Sequence, residues 1–131
     1  MSKIIIASGP VIVEDNKVML NQHGDTTFWK FCGGRVENFD ETLIAAASRE
    51  VKEEMGVEIE VINPEPFIMY TKKITTEGEV DVILVHFLAK RLGEIKPGED
   101  VRKWAWLPLV DLDKEDLAPN ILPALKRFGL I

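Results

Sequence analysis

Polar and apolar positions along the chain divide it into short strands around one long helix. Lys3–Val13 and Lys17–Gln22 are apolar-rich runs separated by Glu14-Asp15-Asn16, a polar hairpin-like connection, and Phe28–Phe31 reads as another short strand. From Glu41 to Met55 the period changes. Ile44, Ala47, Val51 and Met55 recur at intervals of 3, 4 and 4, the stripe of a helix packed on one face. Asp40 is the expected N-cap, and Gly56 falls where a left-handed residue ends a helix. Val57–Ile62 alternates again, and Phe67–Thr75 with Val80–Lys90 forms a long hairpin turning at Glu77-Gly78. Gly93–Asp100 is a Pro- and Gly-containing loop, Trp104–Pro108 a further strand, and Asn120–Phe128 a final helix stopped by Gly129.

One strand says how the layers stack. Val82–Ala89 is apolar on both faces apart from His86, so it must be covered on each side. The expected fold class is therefore α/β, with a mixed sheet sandwiched between helices. His86 is read as a hydrogen-bonded core histidine. No repeat, linker or low-complexity tract interrupts the pattern, and residues 1–131 are expected to form a single domain.

Composition narrows the partners. The chain has 131 residues, 46% hydrophobic and 29% charged, enough for one core. Its single cysteine, Cys32, rules out an internal disulfide, makes the cytoplasm the natural compartment, and is read as a packing residue. The run Lys3–Val13 is broken by Ser8, Gly9 and Pro10 and is far short of a bilayer span, so no targeting or membrane segment is expected. A formal charge of −6 without a basic stripe argues against holding long nucleic acid. A small-molecule nucleotide is the expected partner, and a homodimer is left open.

Charge is concentrated at one place. Glu50, Glu53 and Glu54 fall within a narrow arc of the helix just past Gly33-Gly34, with small Ala46 one turn earlier leaving space beside them. Like charges about 5–6 Å apart repel by about 3 kcal/mol per pair at an effective dielectric of about 20. Such crowding does not stabilise a helix. It suits a hard divalent ion, which takes carboxylate oxygens and substrate phosphates together. No G-x-x-x-x-G-K-[ST] loop is present, so a polyphosphate would have to be held through Mg²⁺ or Mn²⁺.

These residues resemble the signature of the Nudix hydrolases, G-x5-E-x7-R-E-U-x-E-E-x-G-U with U aliphatic. Glu41, Arg49, Glu50, Val51, Glu53, Glu54, Gly56 and Val57 stand at the required spacing, and the box spans about residues 33–57. Upstream it departs. Six residues rather than five lie between Gly34 and Glu41, leaving Asp40 as an alternative to Glu41, and Cys32 stands where many members have proline.

The resemblance implies metal-dependent hydrolysis of a nucleoside diphosphate linked to another group. Glu50, Glu53 and Glu54 would hold the ion with a backbone carbonyl of the Gly33-Gly34 loop, Gly34 being the assigned residue. Arg49 and Glu41 would orient them. The base would be a box glutamate, Glu54, or come from the loop before the late strand, where Glu99 and Asp100 stand. Lys30 and Arg35 bracket the Gly-Gly loop and could touch phosphates, and Trp29 and Tyr70 could stack on a base. Chain length resembles members acting on nucleoside triphosphates. A non-catalytic nucleotide-binding module and an isoprenoid diphosphate isomerase are the alternatives. His23 carries no signal.

Overall fold

The computed structural model describes residues 3–131. Seven strands form one mixed sheet: β1 (Ile4–Glu14), β2 (Lys17–His23), β3 (Gly34–Arg35), β4 (Glu58–Val61), β5 (Phe67–Thr75), β6 (Gly78–Leu92) and β7 (Val101–Pro108). Two helices, α1 (Leu43–Met55) and α2 (Ile121–Arg127), and a 3₁₀ turn at Leu109–Lys114 complete the order. The spine runs β4-β6-β1-β2-β7, with β3 paired to β1 and β5 to β6. β1 and β6 run parallel, from Ile4↔Asp81 to Ile12↔Ala89, and every other pairing is antiparallel. No helix among the described residues is long and apolar enough to cross a membrane.

Strand alternation sorts side chains to the two faces. Val11 of β1 and Val18 and Leu20 of β2 pack with Ile121, Ala124 and Leu125 of α2. Ile12 and Met19 point the other way, onto Val51 and Met55 of α1, and Val85 and Phe87 of β6 meet Ala47. The layers are helix, sheet, helix. Val51 and Met55 are completely buried, each contributing about 2 kcal/mol over an exposed position.

His86 ties three elements together. Its Nδ1 lies 3.2 Å from the Gly9 carbonyl, and its Nε2 lies 3.1 Å from Asn120 Nδ2. A carbonyl can only accept and an amide nitrogen donates, so Nδ1 carries the hydrogen. Burial lowers this imidazole to about 4. It is a neutral core residue.

Several local expectations are corrected. α1 begins after Thr42, whose hydroxyl accepts the Ala45 N–H at 3.0 Å; Asp40 does not cap it. The Asp40 N–H is taken by Asn38 Oδ1 at 2.9 Å, in a local turn that delays the helix. Phe28–Phe31 is not a strand, making only isolated bridges Asn21↔Lys30 and Trp29↔Leu117. Ala46 is fully buried and leaves no open space beside the carboxylates. β7 starts at Val101, earlier than the tryptophan-rich run suggests.

Candidate active site

Two close backbone approaches explain the paired glycines. A Cβ on Gly33 would stand 2.7 Å from the Ser8 carbonyl, and its φ of +150° also favours glycine. A Cβ on Gly34 would stand 2.3 Å from Glu50 Oε2. Gly33 thus lies flat on β1, and Gly34 leaves room for a carboxylate. The Gly33 N–H donates to Glu54 Oε1 at 2.7 Å.

Arg49 organises the other acidic groups. Its Nη2 donates to Glu41 Oε1 at 2.8 Å and its Nη1 to Glu50 Oε1 at 2.8 Å, while Glu53 Oε1 lies 3.6 Å from Nη1. The hydrogen bonds from Arg49 hold the Glu41 carboxyl below its ordinary value, and those carboxylates raise the guanidinium in return. Asp40 makes no such contact.

Glu54 is the most perturbed of the box carboxylates. Burial raises its pKa to about 7, against the lowering effects of the Gly33 N–H and Lys30, while Glu50 and Glu53 push it up further. His23 Nε2 approaches Glu54 Oε2 to 2.5 Å, yet outside the angles of a well-formed hydrogen bond. Burial, with Lys30, lowers His23; Asp100 acts the other way. This histidine was missed in the sequence. It stands at the end of β2, where the β2–β7 register shifts at Gln22/His23.

The loop before β7 is fastened to the end of α1. Lys96 N–H donates to the Met55 carbonyl and Gly98 N–H to the Glu54 carbonyl, both at 2.7 Å, satisfying two carbonyls that a helix end leaves free. Ile95 packs beneath, against the cluster of Met55 and Val57. Glu99 and Asp100 are thereby hung beside the box glutamates.

A cleft of about 340 Å³ results, lined by His23, Lys30, Gly33, Gly34, Glu50, Glu53, Glu54 and residues Gly98–Val101. Glu41 and Arg49 stand behind it. Three proposed substrate contacts lie outside. Arg35 is exposed on β3; Trp29 is 7% exposed in the core, under the Lys103 ammonium at 5.3 Å; Tyr70 sits on β5 in a separate hollow with Ile4 and Ile83. Cys32 is buried, its thiol pushed up by desolvation, in contact with Asn21 Nδ2 at 3.0 Å.

Among the described residues no three His, Cys, Asp or Glu side chains converge into a ready-made cage for an ion. The donor chemistry nevertheless fits a hard divalent cation. Glu50, Glu53 and Glu54 face one cleft, and Glu50 Oε2 accepts no hydrogen bond. A cation would add its counter-charge to these carboxylates beside that of Arg49.

The NUDIX domain family profile matches residues 5–128. Among solved structures, the chain is similar to the E. coli ORF135 protein, 25% identical, covering 98% of this chain and 90% of that one, with a TM-score of 0.75. The MutT protein of Bacillus halodurans is 26% identical, covering 93% and 80%, with a TM-score of 0.72. A MutT NUDIX hydrolase of Burkholderia pseudomallei, 23% identical over 95% and 98% of the two chains, shares the fold with a TM-score of 0.75. No curated protein matches the chain in sequence.

Proposed function

The chain belongs to the NUDIX family and is a pyrophosphohydrolase of that kind, and on that premise we propose that it cleaves a nucleoside triphosphate or a related nucleoside diphosphate derivative, using Mg²⁺ or Mn²⁺. It works as one domain in the cytoplasm. One observation carries the reading: the box glutamates and the loop carboxylates Glu99 and Asp100 open on a single cleft. At about 340 Å³ that cleft is near the small end of ligand sites, which supports a compact substrate.

Glu50, Glu53 and Glu54 would hold the cation with the Gly34 carbonyl. When bound, the cation supplies charge neutralisation at the pyrophosphate oxygens and makes a coordinated water more nucleophilic. The protein's part is positional. Arg49, clamped by Glu41, fixes the direction of the Glu50 carboxylate, since a guanidinium fork constrains angle as well as distance. Lys30 offers the cleft a cation for a phosphate oxygen. The Gly33 N–H holds Glu54 Oε1 and the cation would take the rest of that carboxylate, which favours Glu99 or Asp100 as the base that takes the proton from water.

Purified protein incubated with a panel of nucleoside tri- and diphosphate derivatives, with Mg²⁺, Mn²⁺ or chelator, tests this by mononucleotide release. Metal-dependent release from a triphosphate is expected. Tight binding of one nucleotide without cleavage would favour a binding module instead, and isomerisation of an isoprenoid diphosphate would favour the other alternative.

A further inference from the structure

β5 (Phe67–Thr75) forms part of one edge of the sheet. One side pairs with β6 over its whole length, from Phe67↔His86 to Thr75↔Gly78, and the other side pairs with no strand among the described residues. Its even-numbered residues share a face, and three of them are large and exposed: Ile68 at 58%, Tyr70 at 80% and Ile74 at 83%. α1 covers this face only farther along β6, over Val85 and Phe87. Next to Tyr70, Ile4 and Ile83 line an open hollow of about 330 Å³.

A long apolar edge is a template for another strand, and natural sheets guard such edges with lysines. The guard is partly disarmed here. Lys72 is paired within its own sheet to Glu79 at 3.2 Å and Asp81 at 3.9 Å.

We infer that β5 pairs antiparallel with β5 of a second copy of this chain, about a two-fold axis at Thr71. Pairing that continues the sheet keeps its faces, so opposed residues must both be even or both odd. Thr71 is the midpoint of the nine-residue strand, and only a register centred there opposes every residue. It sets Ile68 against the partner's Ile74, Tyr70 against the partner's Lys72 and Met69 against the partner's Lys73. An axis at Lys72 or Lys73 would instead bring two lysines face to face, which is destabilising. Full overlap, matched isoleucines and separated charges select the same register. A single strand pair is small for a specific interface, and standard-size interfaces span about micromolar to picomolar, so this dimer exchanges with monomer at about micromolar concentration or above.

Thr71→Cys tests the register directly. Opposed Cβ atoms about 4.5–5.5 Å apart lie near disulfide reach, and Cys32, at 1% exposure, does not compete. Oxidation should give a disulfide dimer of Thr71→Cys within minutes at micromolar protein, and far less from Glu94→Cys on an exposed loop. Sedimentation velocity of the wild type should show mass rising from 14.8 kDa towards twice that as concentration rises. Tyr70→Asp, exposed and so tolerated by the fold, should hold it at monomer. A wild type that stays monomeric at about 100 μM, well above the micromolar range, or Thr71→Cys cross-linking no faster than Glu94→Cys, would overturn the proposal.

Discussion

Glu54→Gln should change how stability depends on pH in metal-free protein, in a direction fixed by burial. The folded-state pKa of Glu54 is about 7 against an ordinary 4.5, so the fold prefers this carboxyl protonated. A raised value means stability is fully present below 4.5 and is lost as pH rises through 7. At 1.36 kcal/mol per pH unit the loss is about 3 kcal/mol. His86 acts oppositely. Lowered from 6.5 to about 4, it contributes stability above 6.5 that is lost as pH falls through 4, again about 3 kcal/mol. His23, also lowered, adds in the same sense as His86. The Glu54 and His86 terms overlap and nearly cancel between pH 4.5 and 6.5, leaving the smaller His23 contribution to set the wild-type slope there. Glu54→Gln removes one of them. Its stability should rise by about 3 kcal/mol across that window, or about 10 °C in Tm for a domain of this size. Urea unfolding at several pH values, with chelator throughout, gives the difference between the two proteins. If that difference stays constant within about 0.5 kcal/mol from pH 4.5 to 7, Glu54 is not a buried, proton-holding carboxyl and the linkage reasoning fails.

Arg49→Lys keeps a positive charge but not the fork, so kcat should fall about 10- to 100-fold while Tm moves little, because the pair is part-exposed; unchanged kcat would show that the clamp has no part in catalysis. Glu53→Gln, at a side chain 61% exposed, should leave Tm unchanged, weaken Mn²⁺ binding in calorimetry and cut turnover about 100-fold or more. Gly98→Ala puts a Cβ 3.2 Å from the Glu53 carbonyl and must shift the loop carrying Glu99 and Asp100. Its kcat should fall about tenfold with metal affinity retained, and a wild-type pH–rate profile would argue that neither carboxylate is the base.

How legible these features were in the sequence depends on how local their causes are. The body and end of α1 follow from a 3-4-4 stripe and from Gly56, whose φ of +63° and N–H to Lys52 close the helix. Its start is not local in this way: Asp40 and Thr42 are both cap-type residues, and it is the Thr42 hydroxyl that accepts the Ala45 N–H, while Asp40 sits in a turn closed by its N–H to Asn38 Oδ1. Phe28–Phe31 has strand-like composition, but it bridges Asn21 on one side and Leu117 on the other. No window of sequence reports that. β3 has two residues and therefore no period to detect.

The site divides in the same way. Which carboxylates face together is set by 100° per residue within one helix, and that was readable. What each of them meets is set by chains far apart. Trp29 and Tyr70 are both aromatic candidates in sequence, yet one is sealed beneath Lys103 and the other stands 80% exposed on an edge strand. Glu54 shows the limit best. Its carboxylate meets the Gly33 N–H and His23, and its own carbonyl takes the Gly98 N–H, three contacts from three separate loops or strands. The motif names this glutamate without naming any of those partners. Its proton affinity, and the proton a cation must displace to bind there, are therefore properties of the assembled fold, since desolvation rather than neighbouring charge is the largest cause of the shift.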